Sequence, residues 1–130
     1  MVLFAITTIC VIIGFPILNN FSVRTKVVEA LSVAHGFKAA VTILCQENPS
    51  VRSLDGSKVG MDSQSTEYVR TVELSGPCVS PKLTIITMNT GAPLDPTLTT
   101  RGELAHHGGS INWDCTSNAL NAYLPESCRR

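Results

Sequence analysis

The chain opens MVLFAITTICVIIGFPIL, residues 1–18, and the fold turns on what that run is. Only Thr7 and Thr8 are polar, and their hydroxyls can bond back to helix carbonyls. No charged side chain appears before Arg24. A hydrocarbon core takes about 20 apolar residues, so the run sits at the lower edge of a membrane span. A cleaved signal peptide would need a basic n-region and a small-x-small cleavage site. No Lys or Arg precedes this run, and LNNFSVR, residues 18–24, is a poor cleavage site. A buried core helix that is apolar all round needs a large protein about it, and the rest of the chain is too short to wrap one. A helix inserted in a membrane or buried in a polymer is the reading that remains.

Gly14 and Pro16 interrupt the run. Proline removes a backbone donor and clashes with the preceding turn, so a kink or a locally unwound stretch is expected near residues 12–16. In a soluble helix that costs about 3 kcal/mol.

Moving outward, Val23, Val27, Leu31, Ala34, Val41 and Leu44 recur at helical spacing, with Phe37 and Ala40 beside them. Arg24, Lys26, Glu29, His35, Lys38 and Glu47 supply the polar side, and Pro49 sets a stop. One helix over residues 2–46 would be about 65 Å long. That exceeds a small domain, so the apolar half must project from it. A protruding apolar helix has two sinks, lipid or other copies of itself. The residues expected to fill a polymer core are Leu3, Phe4, Ile6, Ile9, Val11, Ile12, Ile13 and Phe15. The division is an apolar half-helix over 1–22 and a globular unit over 23–130.

Residues 47–66 are polar and turn-rich and read as a long surface loop. Four strand-like runs follow, Glu67–Leu74, Lys82–Asn89, Thr97–Leu104 and Ser110–Cys115, giving an antiparallel meander over 67–115. Alternation in the first is imperfect. The sheet's apolar face needs a cover, and the stripe around Leu31, Ala34 and Val41 is the available one.

Formal net charge is zero, against the basic excess a general nucleic-acid binder needs. Of five cysteines, Cys10 lies in the apolar run as a small hydrophobe. Cys45, Cys78, Cys115 and Cys128 fit no zinc or c-type haem spacing and read as two disulfides in an oxidising compartment. Locality favours Cys115 with Cys128 and Cys45 with Cys78; the two other connectivities stay open. His106 and His107 read as a solvated turn, and Asp55-Gly56 as a turn rather than a calcium loop. No nucleophile motif, phosphate loop or cofactor box is present, so no catalytic, metal or cofactor residue is assigned and no enzyme activity is expected.

FPILNNFSVRTKVVEALSVAHGFKAAV, residues 15–41, and INWDCTSNALNAYLPESCR, residues 111–129, together resemble the type IVa pilins. In that family a proline, a short polar stretch and a basic residue lead into an E-A-L-S-type helix. A tryptophan two residues before a cysteine opens a loop that closes on Y-x-P-x-x-C. The resemblance implies an α+β fold, a long helix on a four-stranded antiparallel sheet with a disulfide-bounded loop over 115–128. It implies a structural subunit made as a prepilin, held in the inner membrane, handled by the pilus assembly machinery and polymerised with identical copies into a surface filament. Such a filament serves adhesion, twitching motility, DNA uptake, biofilm formation and phage attachment, so phage, host surfaces and DNA are the expected ligands. Family members begin with an N-methylated aromatic and carry a glutamate soon after. Alignment on Pro16 puts both upstream of Met1, so the sequence is expected to start partway into the mature helix. Other readings are a DNA-capturing minor pilin, a type II secretion pseudopilin, or a secreted disulfide-containing enzyme or inhibitor.

Overall fold

The computed structural model describes residues 2–105 and 109–129, with the backbone alone for residues 2–4 and 10–16. His106 and His107 lie outside the described residues. A single helix, α1 (Val2–Glu47), is followed by β1 (Val69–Ser75), β2 (Lys82–Thr87), β3 (Thr97–Leu104) and β4 (Ile111–Ser117). At 1.5 Å per residue α1 is about 70 Å long.

The helical spacing of its apolar residues places Val23, Val27, Ala30, Leu31, Ala34, Phe37 and Val41 on one buried stripe. The strands form one antiparallel sheet in the order β1-β2-β3-β4. Their period of two sends Val72, Leu74, Leu83, Ile85, Leu98 and Ile111 into the same core as the helical stripe. Phe37 is its largest fully buried side chain. The opposite sheet face is polar; Glu73, Thr84, Thr99 and Thr116 lie in one row across all four strands.

Several boundaries differ from the sequence expectation for local reasons. β1 begins at Val69, and its register shifts between Val69 and Thr71. That bulge is why the alternation is imperfect. β2 ends at Thr87 because Asn89 turns the chain at φ 55°. β4 runs on past Cys115 to Ser117, held by the Thr97 carbonyl accepting from the Ser117 hydroxyl at 3.0 Å.

The 47–66 segment is irregular but is not wholly a surface loop. Leu54 is 2% exposed in the core, and its amide donates to the Gly76 carbonyl at 2.8 Å. Cys78 donates likewise to Val51 at 2.9 Å. Gly76 makes this docking possible: its φ is +90°, and a Cβ there would come within 2.8 Å of the Ser80 carbonyl oxygen.

The expected break at Gly14 and Pro16 does not end the helix, since α1 is continuous across both. Proline deletes one donor, and the bonds of the turns on either side carry the ladder across.

Candidate assembly surface

Two halves of α1 meet at Ser22–Val23. Above that point the buried stripe begins with Val23 at 0% exposure. Below it the described apolar side chains are all exposed, and none belongs to the subunit's core. Ile6 is 53% exposed, Ile9 55%, Ile17 62%, and Leu18 and Phe21 68%. Covering a Leu, Ile or Phe side chain is worth about 1.5–3 kcal/mol. These partly exposed residues together forgo on the order of 5–10 kcal/mol in water. That rivals the whole stability of a small domain, about 5–15 kcal/mol. The surface therefore belongs against lipid or protein.

Of the residues the sequence proposes for a polymer core, Ile6 and Ile9 lie on this surface. The side chains of Leu3, Phe4, Val11, Ile12, Ile13 and Phe15 lie outside the described residues. Ile17, Leu18 and Phe21 extend the surface past Pro16; the sequence put them inside the apolar half-helix over 1–22 but named core residues only as far as Phe15. Their signal was the continued absence of charge up to Arg24.

By length and apolarity Ile17–Glu47 is also able to cross a membrane. Its buried stripe is already occupied by the sheet, however, and it carries Arg24, Lys26, Glu29, Lys38 and Glu47.

The globular unit is closed by two disulfides. Cys45, in the last turn of α1, is joined to Cys78 in the β1–β2 connection, with Cα atoms 5.5 Å apart. Cys115 on β4 is joined to Cys128 with Cα atoms 4.7 Å apart. The enclosed tail forms two short 3-10 turns, Asn121–Tyr123 and Glu126–Cys128. Leu124 between them is 1% exposed, and its carbonyl accepts from Arg129 Nε at 2.8 Å. The tail is thus packed as well as cross-linked.

The first two charged residues of the chain reach sideways from α1. Arg24 Nη2 donates to the Ala122 carbonyl at 2.8 Å, and Lys26 Nζ donates to the Asn89 carbonyl at 3.4 Å. Lys26 also lies 5.2 Å from the Tyr68 ring centre. Within the Asn89–Pro96 loop, Asp95 Oδ1 accepts from the Thr90 hydroxyl at 2.5 Å and the Thr90 amide at 2.9 Å. The Thr90 hydroxyl bond is the largest cause holding the Asp95 carboxyl below its usual range; burial opposes it, and the amide bonds of Thr90 and Asn89 and the charge of Arg70 add to the lowering. Higher up, Lys38 Nζ stands 5.5 Å from the Trp113 ring. Trp113 pairs across the strands with Gly102, where a Cβ would fall 2.5 Å from Ile111 Cγ2 and 2.7 Å from Pro81 Cγ.

His35 is an exposed residue of α1. Asp55 Oδ1 accepts from the Ser57 hydroxyl and the Lys58 amide, closing a turn. Among the described residues no three His, Cys, Asp or Glu side chains converge as a metal site.

A long helix with one half seated on a four-stranded antiparallel sheet and the other bare, with a disulfide-bounded tail, is the architecture of a filament-forming subunit. The family model of the pilins, bacterial filament proteins, matches residues 23–129, and the chain belongs to that family. It is similar to the fimbrial protein EcpC of Eikenella corrodens, with 30% identity over 133 residues that cover 99% of this chain and 85% of that one. The protein is a structural subunit of a surface filament.

Proposed function

We propose that the apolar N-terminal segment, residues 1–22, lies in the inner membrane before assembly and in the core of a type IV pilus made of identical copies afterwards. The observation that carries this reading is the step in exposure along one helix, from 68% at Phe21 to 0% at Val23. Extraction by the pilus machinery then exchanges lipid contacts for protein contacts of similar apolarity, so packing rather than water exclusion drives the transfer. Gly14 and Pro16 supply a point where the helix can bend as neighbours close on it, because one backbone donor is already missing there. The filament presents the polar sheet face and the loops outward, for adhesion, twitching motility, DNA uptake and phage attachment.

The test is a chain beginning at Val23. It is expected to be a water-soluble monomer by light scattering that neither joins filaments nor sediments with membranes. Filaments built from that shortened chain would overturn the reading.

A further inference from the structure

We propose that the lower rim of the globular unit is itself a lipid-interface seat, formed where two loops gather round α1 immediately above its uncharged half. The inference rests on the membrane stage of the function proposed above and says how deep, and in what attitude, the subunit sits there. The rim is built by Arg24 and Lys26, which tie the two loops to the helix through the Ala122 and Asn89 carbonyls. The two loops leave the sheet side by side where β3 and β4 pair, and there the Thr97 amide at the start of β3 donates to Asn118 Oδ1 at 2.9 Å. A Cβ on Gly91 would lie 3.9 Å from Val23 Cγ2, so the first loop touches α1 at the level where its buried stripe starts.

Each loop displays a leucine to solvent. Leu94 and Leu120 are both 69% exposed, the largest values among the exposed large apolar side chains of the described residues. Neither is needed by the core. The chain's two tyrosines flank these ties: Tyr68 lies under the Lys26 ammonium, and Tyr123, partly buried against the core, follows the Ala122 whose carbonyl Arg24 holds. Tyrosine with Lys or Arg above an apolar span is the composition of a membrane interface, where amphipathic rings and snorkelling cations sit at headgroup level. The single acid of the first loop, Asp95, has its carboxylate engaged by Thr90, and the Asn118–Pro125 loop carries no charge. The occupant is therefore a phospholipid headgroup layer, with Leu94 and Leu120 dipping toward the acyl boundary on either side of the helix. In the assembled filament the same rim faces protein instead.

The test uses the full chain, diluted in phosphatidylethanolamine–phosphatidylglycerol vesicles whose acyl chains are brominated near the headgroup. Trp113→Phe removes the native tryptophan, and single reporters are placed by Leu94→Trp, Leu120→Trp, Leu18→Trp and Val79→Trp. Val79 adjoins Cys78, which is bonded to the far end of α1, and serves as the distant control. Emission at positions 94 and 120 is expected to be quenched to nearly the extent seen at 18, with Val79→Trp unaffected. Quenching at 18 with 94 and 120 matching Val79 would overturn the seat while leaving the membrane helix intact. No quenching at 18 would overturn the membrane reading and the seat together. Positions 94 and 120 shielded at high protein-to-lipid ratio and quenched only on further dilution in lipid would assign the rim to a second copy and overturn the proposal. Because Trp113→Phe disturbs Lys38, a second measurement uses the native chain in nanodiscs. Headgroup spin-labelled lipid should broaden the Tyr68 and Tyr123 ring signals and spare those of Trp113; equal broadening of all three, or of none, sinks the seat.

Discussion

The lower and upper halves of α1 are one helix with one backbone geometry, yet they draw their stability from different places. Above Val23 the helix is amphipathic and owes its place to Phe37, Val41 and their sheet partners. Below Ser22 the described side chains contribute nothing to the subunit's own core. Apolarity on its own therefore does not identify a core. What identifies one is whether the same chain supplies the opposing face.

The comparison breaks most sharply at the lower half. Ile9→Asp with Leu18→Asp should abolish filaments seen by electron microscopy, because each charge would be buried without a partner in lipid or polymer. The same pair should leave the urea stability of the globular unit within about 0.5 kcal/mol of wild type. A large loss of that stability would mean that the lower half belongs to the subunit's own core after all. Phe37→Ala should do the opposite, costing about 3–5 kcal/mol of globular stability through lost burial and a cavity. The measurement is the urea midpoint in a chain beginning at Val23.

The disulfides grade the upper half. Replacing Cys45 and Cys78 by Ser reopens a loop with a sequence separation of 33, against 13 for Cys115 and Cys128. The loop-entropy account gives about 4 and about 3 kcal/mol respectively, with the mechanism model-dependent. Equal losses in denaturation would show that strain or packing outweighs loop length. Gly102→Ala is expected to cost about 1–3 kcal/mol, since its methyl must displace Ile111 or Pro81. The smallest effect concerns the rim. Asp95 titrates below its usual value when folded, so its contribution is present above about pH 4 and fades as pH falls through the lower folded value. Thr90→Val should flatten that acid limb of the stability–pH curve; an unchanged limb would show that the Thr90 contacts do not hold the loop.

Much of the architecture was legible because it rests on periodicity. The stripe from Val23 to Val41 and the stop at Pro49 set the upper helix, and Gly and Pro clusters separated the strands. The irregular β1 alternation was a visible symptom of the bulge at Val69–Thr71, although sequence could not name it. Leu54 was missed because a lone leucine among Ser, Asp and Gly has no period; its burial depends on a hydrogen bond to Gly76, which lies beyond the whole loop. The rim was missed for a related reason. Leu94 and Leu120 stand in separate turn-rich loops, and the antiparallel pairing of β3 with β4, together with the Arg24, Lys26 and Asn118 hydrogen bonds, brings those loops together. Tertiary hydrogen bonds between distant segments leave no local pattern to read.

The Cys45–Cys78 bond carries a mechanical consequence. A filament under tension loads each subunit through the lower half of α1, and the load passes to the sheet along the helix. At the near end the connection is a few hydrogen bonds from Arg24 and Lys26, together with the packed stripe. At the far end it is covalent. A pull directed along α1 must slide the whole stripe across the sheet in shear, and the helix cannot leave until a sulfur–sulfur bond is cut. Force spectroscopy of single filaments with and without reductant reads that difference directly: extension should come at lower force once the bond is reduced, and identical traces would place the tether elsewhere.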